Sequence, residues 1–400
     1  MPKASIRDLG RIDLAGRRVL VRADLNAPLE DGRIADETRI RASIPTLRLL
    51  REAGARTLVI SHFGRPKGPD PAFSRAGGAE HLRDTFGGEV GFHPELVGPG
   101  PAAAAAAMRD GGVLILENTR FHPGETSNDP ALASALADLC DLFVNDAFGA
   151  AHRAHASTVG VAEEIRRRGG RAVAGLLMEK ELEMLDRVMD EPERPFVAIL
   201  GGAKVSGKVE VIEALLGRVD RLLVGGAMAN TFFRALGLEV GASLVEEDRV
   251  ELARAILTEA GDRLVLPVDC VVADRIAEDA IARVVPRDSV SPGERIGDIG
   301  TATQTAFASV LEGARTVIWN GPMGVFEMRP FRDGTVAVAR AVADVTDRGA
   351  FTLVGGGDSA AAADVAGVAD RVSHISTGGG ASLEYLVGVE LPGVLALSDR

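Results

Sequence analysis

Short runs of β-branched and leucine residues alternate along the chain with longer stretches of helical periodicity, and this rhythm constrains the fold more than any other feature. The runs lie at residues 18–22, 57–60, 113–116 and 142–144 in the first half, and at 196–200, 221–224, 263–266, 316–319 and 351–354 in the second half. Strands that alternate with helices form βαβ units, in which parallel strands share a sheet and helices cover its faces. The sequence therefore predicts an α/β fold with two Rossmann-like lobes, each a parallel sheet flanked by helices.

The length of the chain also favours two domains, because 400 residues exceed the size of one ordinary hydrophobic core. Between the two sets of runs, residues 175–187 carry apolar side chains at helical spacing, and Pro192 follows. This pattern predicts a connecting helix that ends near Pro192. We therefore expect one domain over residues 1–172 and a second over residues 173–385.

The net charge of −12 argues against nucleic acid as a partner, because binding a phosphate backbone requires a basic surface. The charge is distributed unevenly. Residues 1–170 hold 22 basic and 22 acidic side chains, whereas the remainder holds 23 basic and 35 acidic ones. The first lobe thus avoids the net negative charge that would repel an anionic substrate.

No apolar run approaches the roughly 20 residues that a membrane helix needs, and residues 1–5 lack the apolar core of a secretory signal. We therefore expect a cytoplasmic protein without a membrane partner. Cys140 and Cys270 lie far apart in apolar contexts, which favours two reduced core thiols over a disulfide or a nucleophile.

Basic side chains cluster where the strands of the first lobe are predicted to end, and ligands of parallel sheets bind beyond the carboxyl ends of the strands. The segments that follow those ends carry Asp24, Asn26, Arg39, His62, Arg65, Arg120, His122, His152, Arg153 and His155. Guanidinium groups bind carboxylate and phosphate through two parallel hydrogen bonds. A single arginine is more often a solvated surface side chain, but five such segments favour a site for a small, multiply charged anion.

His152 and His155 lie three residues apart and could share a helical face. A zinc site needs further ligands, and none is nearby in the sequence. An anion contact or a hydrogen bond in the core is therefore favoured for these two residues.

A glycine-rich segment at residues 200–209 is the first candidate ligand-binding segment of the second lobe. It resembles a P-loop up to Val209, which stands in place of the serine or threonine that would touch magnesium. Lys204 and Lys208 lie four residues apart, so we expect them to face the same side of the first helical turns and to bind nucleotide phosphates.

Two more glycine-rich segments, at residues 355–359 and 376–382, follow strands of the same lobe. Asp358 in the first of them could hold Mg²⁺. Asn320 and Glu327 offer polar groups for a ribose or a base. A lone glycine loop is explained equally well by a tight turn, but three in one lobe favour a nucleotide site.

The chain contains no Gly-x-Ser-x-Gly elbow, no His-Glu-x-x-His helix and no cluster of paired cysteines. Phosphoryl transfer needs none of these, because its transition state is stabilised mainly by positioning, cations and magnesium. An acceptor carboxylate or an ADP phosphate is already ionised at neutral pH, so no strong general base is required. The residues present therefore fit phosphoryl transfer.

Two alternatives stay open from the residues alone. A NAD-dependent dehydrogenase also places glycine-rich turns on Rossmann-like lobes, but its Gly-x-Gly-x-x-Gly with an acidic residue about 20 positions later is missing in clean form. A catalytically silent nucleotide sensor could use the same fold, although the presence of Arg39, Lys204 and Asp358 argues against it.

Nine segments, taken in order along nearly the whole chain, resemble the signatures of the phosphoglycerate kinase family. They cover residues 21–28, 61–67, 117–124, 144–160, 199–208, 225–231, 319–327, 355–359 and 376–383. The resemblance implies a monomer with two Rossmann-like lobes, whose last residues, 386–400, return to the first lobe. It implies reversible, in-line phosphoryl transfer from 1,3-bisphosphoglycerate to ADP, giving 3-phosphoglycerate and ATP, with Mg²⁺ as cofactor and closure of the lobes.

The resemblance also carries ligand residues over to matching positions of this sequence. Those implied for 3-phosphoglycerate or 1,3-bisphosphoglycerate are Asp24, Leu25, Asn26, Arg39, His62, Phe63, Gly64, Arg65, Arg120 and Arg153. Those implied for ATP or ADP are Gly202, Lys204, Lys208, Gly226, Gly297, Asn320, Glu327, Gly356, Gly357, Asp358 and Ser359. Those implied for the transferring group are Arg39, Lys204, Lys208, Gly379 and Gly380, with Asp358 on the metal.

Residues 73–80 depart from the family pattern, which usually has leucine and a proline–valine pair before the helix at this place. We expect this departure to leave the implied ligand residues untouched.

Overall fold

The computed structural model describes residues 3–26, 29–30, 33–34 and 37–400, with the strand backbone alone at 29–30 and 33–34. The chain divides into two compact units. The first comprises the residues up to Glu183 together with Glu390–Arg400, and the second comprises Met184–Val389. The border thus lies inside the helix that runs from Leu176 to Met189, later than the expected border at residues 172 and 173.

The first unit is built on a six-stranded parallel sheet of order β5-β6-β4-β1-β7-β8, and β2 and β3 form a separate antiparallel pair. Its strands are β1 (Arg18–Ala23), β2 (Leu29–Glu30), β3 (Arg33–Ile34), β4 (Arg56–Ile60), β5 (Val90–His93), β6 (Val113–Leu116), β7 (Leu142–Asp146) and β8 (Ala172–Ala174). Its helices are α1 (Arg11–Leu14), α2 (Thr38–Glu52), α3 (Ala76–Phe86), α4 (Pro99–Ala107), α5 (Pro130–Ala137) and α6 (Val161–Arg167), followed by α7 (Leu176–Met189), which contains the border.

The second unit is built on a six-stranded parallel sheet of order β11-β10-β9-β15-β16-β17, beside a three-stranded antiparallel sheet of order β13-β12-β14. Its strands are β9 (Phe196–Leu200), β10 (Arg221–Val224), β11 (Leu264–Val265), β12 (Asp269–Ala273), β13 (Arg283–Pro286), β14 (Arg295–Ile299), β15 (Thr316–Asn320), β16 (Phe351–Gly355) and β17 (His374–Ser376). Its helices are α8 (Val209–Leu216), α9 (Met228–Ala235), α10 (Val250–Ala260), α11 (Thr301–Glu312), α12 (Asp333–Asp347), α13 (Gly357–Val365) and α14 (Gly380–Leu386), and α15 (Pro392–Leu395) lies in the tail of the first unit.

The predicted fold class is confirmed, since each unit contains a parallel sheet flanked by helices. The inner strands β7 and β9 are buried along their whole length, as expected where helices cover both faces of a parallel sheet. The predicted run at 263–266 is reduced to the strand β11, because Arg263 ends a 3₁₀ turn that begins at Gly261.

The last residues of the chain pack on the first unit through backbone hydrogen bonds. The amide of Gly393 donates to the carbonyl of Ala151 at 2.8 Å, and the amide of Ser398 donates to the carbonyl of Ala172 at 2.7 Å. Among residues 3–26 and 37–400, we find no helix with the length and apolar character needed to cross a bilayer.

Asp146, the last residue of β7, organises the start of α7. Its Oδ1 accepts hydrogen bonds from the amides of Leu177 at 2.9 Å and Met178 at 3.3 Å. Gly175 is required beside it, because a Cβ at this position would overlap the Asp146 carboxylate. The carboxyl group is wholly buried, and burial raises its pKa to about 6 from an ordinary value of 3.8. The helix that contains the border is therefore anchored to the first sheet by one buried acid.

The raised pKa of Asp146 predicts a specific dependence of stability on pH. The folded chain holds this proton more tightly than the unfolded chain, so the group's contribution is complete below about pH 4 and is lost as the pH rises through 6. Between pH 4 and pH 7.5, we expect the difference in unfolding free energy between the wild type and Asp146→Asn to change by up to about 3 kcal/mol, to the disadvantage of the wild type.

Urea denaturation at both pH values measures this difference. Asp84→Asn is the matched control, because Asp84 is an exposed acid of the same unit. A difference between wild type and Asp146→Asn that stays constant over this pH range contradicts the prediction.

Candidate functional site

The strand ends of the first sheet bring the predicted cationic residues to one edge. Because β1, β4, β6 and β7 are parallel neighbours, their carboxyl ends lie at the same edge of the sheet. Asp24–Asn26 follow β1, His62–Arg65 follow β4, Arg120 follows β6, and Arg153 lies in the segment after β7. Arg39 lies in the first turn of α2. We call these seven polar side chains the first-unit site: Asp24, Asn26, His62, Arg65, Arg120, Arg153 and Arg39.

Hydrogen bonds tie the segment after β1 to its neighbours. The amide of Leu25 donates to Ser61 Oγ at 3.0 Å, and the amide of Gly64 donates to Asn26 Oδ1 at 2.9 Å. Arg39 Nη1 lies 3.3 Å from the carbonyl oxygen of Asn26 and 3.4 Å from Asp24 Oδ2. Arg39 is thus held by the residues that follow β1 and stays partly exposed.

Asn118 connects the segments after β4 and β6. Its Oδ1 accepts from the amides of Phe63 at 3.1 Å and Arg120 at 3.0 Å, and its Nδ2 donates to the carbonyl of Phe63 at 2.8 Å. The positions of His62–Arg65 and of Arg120 are therefore fixed relative to each other.

A buried network that the sequence did not reveal lies behind this site. Arg22 on β1 is completely buried, and it donates to Ser157 Oγ at 3.0 Å and to the carbonyl of Ala23 at 2.6 Å. Ser157 in turn donates from Oγ to Glu125 Oε1 at 2.6 Å. An arginine inside an otherwise apolar strand was the one sequence feature that could have indicated a buried role for Arg22. Ser157 and Glu125 come close to Arg22 only in the folded chain, so the sequence carried no signal for them.

His62 is neutral at physiological pH in this environment. Burial lowers its pKa to about 3, and the charge of Arg22 lowers it in the same direction. Arg22 Nη2 lies 3.0 Å from His62 Nδ1. Since a guanidinium group can only donate, Nδ1 is the acceptor and the ring proton is on Nε2. His62 can therefore donate a hydrogen bond to an anion without carrying a charge.

Arg120 lies in a strongly positive environment. Burial lowers its pKa, Glu125 counteracts this shift, and Arg153 and Arg65 lower it further. Its Nε is buried without a hydrogen-bond partner among the residues that the structure describes. Arg65 and Arg153 are exposed. Three guanidinium groups whose charges act on one another are suited to an anion with more than one negative charge.

The two histidines after β7 do not form part of a metal cluster in the described residues. His155 is buried, and burial lowers its pKa to about 4 while Glu125 opposes the shift. Arg153 Nε lies 3.1 Å from His152 Nε2. Across residues 3–26 and 37–400, no group of three or more histidine, cysteine, aspartate or glutamate side chains is placed to hold a metal ion.

The second unit contains a cavity of about 220 Å³ at the carboxyl ends of its central strands, which we call the second-unit cavity. Five of the predicted nucleotide residues line it: Gly202, Gly226, Gly297, Glu327 and Asp358. Its wall also contains Phe233, Met323 and Val325. Apolar walls with a few polar groups are typical of a pocket for a small organic ligand.

Glycine is required where two loops of this cavity meet. Gly226 has a φ of +68°, and a Cβ there would lie 2.5 Å from the amide nitrogen of Gly202. Only glycine satisfies both the backbone angle and the close approach.

The prediction that Lys204 and Lys208 share a helical face is wrong, because α8 begins only at Val209. Lys208 is the residue before the helix, and its Nζ donates to the carbonyl of Gly201 at 2.7 Å and to Asn320 Oδ1 at 2.8 Å. Burial lowers the pKa of Lys208 to about 8. Lys208 therefore joins the ends of β9 and β15, while Lys204 is exposed.

Asn320 and Ser359 are also engaged within the protein. Asn320 is 5 % exposed, and its Nδ2 donates to the carbonyl of Gly355 at 2.8 Å. Ser359 is fully buried and accepts a hydrogen bond from the amide of Gly321 at 2.6 Å. These two side chains fix the strand ends that surround the cavity, and neither is among the residues that line it.

The remaining predicted residues of this unit lie at starts of helices. Gly357 and Asp358 open α13 directly after β16 and Gly356, and both Gly357 and Asp358 are exposed. Gly379 and Gly380 open α14, which follows β17. All of these positions lie at the carboxyl edge of the second sheet.

Asp298, which sequence reasoning did not single out, also lines the second-unit cavity. Burial raises its pKa to about 7, while hydrogen bonds from the amides of Gly334 and Ile299 oppose this shift. Asp298 follows Gly297 in the sequence, but no sequence pattern indicated that it would line a cavity.

Comparison with known proteins agrees with this geometry. The family model described as phosphoglycerate kinase matches residues 7–389. The chain is 55 % identical to the phosphoglycerate kinase of Rubrobacter xylanophilus over 401 residues, which cover 100 % of this chain and 99 % of that protein. It is 52 % identical to the cytosolic phosphoglycerate kinase of Triticum aestivum over 401 residues, which cover 99 % of each chain.

A solved structure supports the same assignment. The phosphoglycerate kinase of Coxiella burnetii superposes with a TM-score of 0.87 at 40 % sequence identity, covering 99 % of this chain and 98 % of that one. On these grounds, this chain belongs to the phosphoglycerate kinase family.

Proposed function

We propose that this chain transfers a phosphoryl group reversibly from 1,3-bisphosphoglycerate to ADP, giving 3-phosphoglycerate and ATP. The family to which it belongs is one of phosphotransferases. The observation that carries the proposal is the first-unit site, where arginines from separate strand ends converge at one edge of a sheet. Such a site suits a small acid that bears both a carboxylate and a phosphate.

The acid binds at the first-unit site through groups of two kinds. Arg65, Arg120 and Arg153 supply positive charge for phosphate and carboxylate, and His62 adds a neutral donor from Nε2. Asp24 can accept a hydrogen bond from a substrate hydroxyl, and the side-chain amide of Asn26 can donate one. The backbone around Leu25, Phe63 and Gly64 is held by the hydrogen bonds of Ser61, Asn118 and Asn26. This preformed arrangement reduces the ordering cost of binding.

The nucleotide binds in the second-unit cavity, with its base against the apolar wall and its phosphates near Gly202 and Asp358. Lys204 is exposed beside this cavity's glycine-rich loop and can reach a phosphate. The strand ends around the cavity are held in place by hydrogen bonds of Lys208, Asn320 and Ser359, which support nucleotide binding in this indirect way.

Asp358 fits a magnesium ion that is held mainly by nucleotide phosphates. Its carboxylate is exposed and lines the cavity, and Mg²⁺ in kinases commonly takes one or two carboxylates besides phosphate oxygens and water. When bound, the ion neutralises charge on the phosphates. The rest of the chemistry comes from the protein's own groups.

Transfer requires cations aimed at the migrating group and requires the exclusion of water. Arg39 and Lys204, with the backbone amides of Gly379 and Gly380, stabilise the charge of the transferring phosphoryl group. No general base takes part, because both acceptors are ionised at neutral pH.

Since the two ligands belong to different units, we propose that closure brings them into line and excludes water. We further propose a cytoplasmic monomer; the wheat relative is named cytosolic.

Removing Arg39 tests the assignment of the transferring group. We expect Arg39→Ala to lower kcat by about 100-fold or more, because a positioned donor to developing charge is lost. A coupled assay with ATP and 3-phosphoglycerate measures this effect. Arg48→Ala is the matched control, since Arg48 is an exposed arginine of the same helix, α2, and should keep the wild-type rate. Wild-type turnover in Arg39→Ala would remove this residue from the transfer step.

If Asp358 holds the Mg²⁺ that accompanies the nucleotide, its removal should weaken the binding of the nucleotide and leave the binding of 3-phosphoglycerate unchanged. We expect chelation of Mg²⁺ by EDTA to abolish turnover, and Asp358→Ala to raise the KM for Mg·ATP by about 10-fold or more while the KM for 3-phosphoglycerate stays within twofold. Asp370→Ala, at an exposed acid of the same unit, is the control. An equal rise in both KM values in Asp358→Ala would contradict the assignment.

A further inference from the structure

Arg75 is a buried cation outside the residues assigned to binding and transfer. It precedes α3, where it occupies the capping position. Its residue surface is only 3 % exposed. Burial lowers the pKa of its guanidinium group to about 10, so the group stays charged at neutral pH. A buried charge is costly unless neighbouring groups compensate for it.

Three contacts of Arg75 reach the segments that form the first-unit site. Its Nη1 donates to the carbonyl of Leu25 at 3.2 Å, and its Cζ lies 5.4 Å from the centroid of the Phe63 ring. Its backbone amide donates to Glu117 Oε1 at 2.7 Å. Arg75 thus touches the residues that follow β1, β4 and β6, which are three neighbouring strands. The expectation that residues 73–80 leave the implied ligand residues untouched is therefore wrong.

Two carboxylates, one after β6 and one after β1, compensate for the charge of Arg75 at a distance. Glu117 and Asp24 favour its charged form, whereas Arg22 opposes it. Its Nε and Nη2 are buried and lack hydrogen-bond partners among the residues that the structure describes. The cation therefore contributes positive potential close to Asp24 and to the segments of the first-unit site.

The local sequence makes room for this side chain. A Cβ at Gly78 would overlap Arg75 Nη2 and would lie 2.9 Å from Arg75 Cζ. At the neighbouring Gly77, a Cβ would meet nothing within 4 Å. Gly78 and Arg75 are therefore a matched pair, and Gly77 provides a control in the same turn of α3.

We propose that Arg75 is a positioning residue for the acid-binding site: it holds the Leu25 carbonyl and the Phe63 ring in place and adds buried positive charge beside Asp24. It acts through these groups without contacting the substrate. The inference rests on the proposed function, because it assumes that the acid binds at the first-unit site.

Steady-state kinetics of Arg75→Leu and Arg75→Lys test the role directly. We expect Arg75→Leu to raise the KM for 3-phosphoglycerate by about 10-fold, the size of losing one hydrogen bond to a charged group. The KM for ATP should stay within twofold, because Arg75 belongs to the first unit. Arg75→Lys should recover part of the loss, since it keeps the charge and one donor.

The glycine pair supplies a second test that leaves Arg75 in the sequence. We expect Gly78→Ala to raise the KM for 3-phosphoglycerate as Arg75→Leu does, because the new methyl group displaces the guanidinium. Gly77→Ala should leave this KM unchanged. In the Arg75→Leu background, Gly78→Ala should cause no further rise, since the overlap no longer exists.

The outcomes separate this inference from the proposed function. A wild-type protein that fails to turn over ATP and 3-phosphoglycerate would contradict the proposed function itself. An active wild type whose KM for 3-phosphoglycerate is unchanged in both Arg75→Leu and Gly78→Ala, even if the melting temperature falls, overturns the positioning role alone. If Arg75→Leu does not fold, the comparison of Gly78→Ala with Gly77→Ala decides the question.

Discussion

Parallel pairing of the strands around β1 is the constraint on which the rest of the first-unit site depends. Arg22 on β1 stands level with Ile60 on β4 and with Asn145 on β7. The three strands therefore end together, and the segments after them emerge side by side. A shift of this register by one residue would turn the buried Arg22 to the opposite face of the sheet and separate the groups that we propose to bind the acid.

Arg22 and Arg75, the two buried arginines among the described residues of this unit, are held by neutral or distant partners, and this keeps their charge available. Arg22 donates to a hydroxyl, a carbonyl and a neutral imidazole, and Arg75 donates to a carbonyl. A carboxylate paired closely with each guanidinium group would cancel the positive electrostatic potential that attracts an anion to this site. The desolvation of these charges costs stability, and hydrogen bonds to the surrounding backbone and to Ser157 offset part of that cost.

The sequence predicted the parts of this protein that depend on local patterns. The apolar runs became strands of two parallel sheets, and residues 175–187 became most of α7. The antiparallel strand β13 was missed because it is mostly exposed and its apolar run is only two valines long. Lys208 was misplaced because an acceptor on the distant Asn320, a nearer one on Gly201 and a helix that starts only at Val209 determine its position. Arg75 was not singled out, since it contacts the carbonyl of Leu25, which lies fifty residues earlier in the chain.

The central claim is that the acid and the nucleotide bind to different units, each at the strand ends of its own sheet. Hydrogen–deuterium exchange of the full chain, followed by mass spectrometry with one ligand at a time, tests it most directly. We predict that 3-phosphoglycerate alone slows exchange in residues 22–26, 61–65 and 118–122, and that Mg·ADP alone slows it in residues 201–208, 225–230 and 355–359. Protection by 3-phosphoglycerate in the second set, with none in the first, would contradict the account.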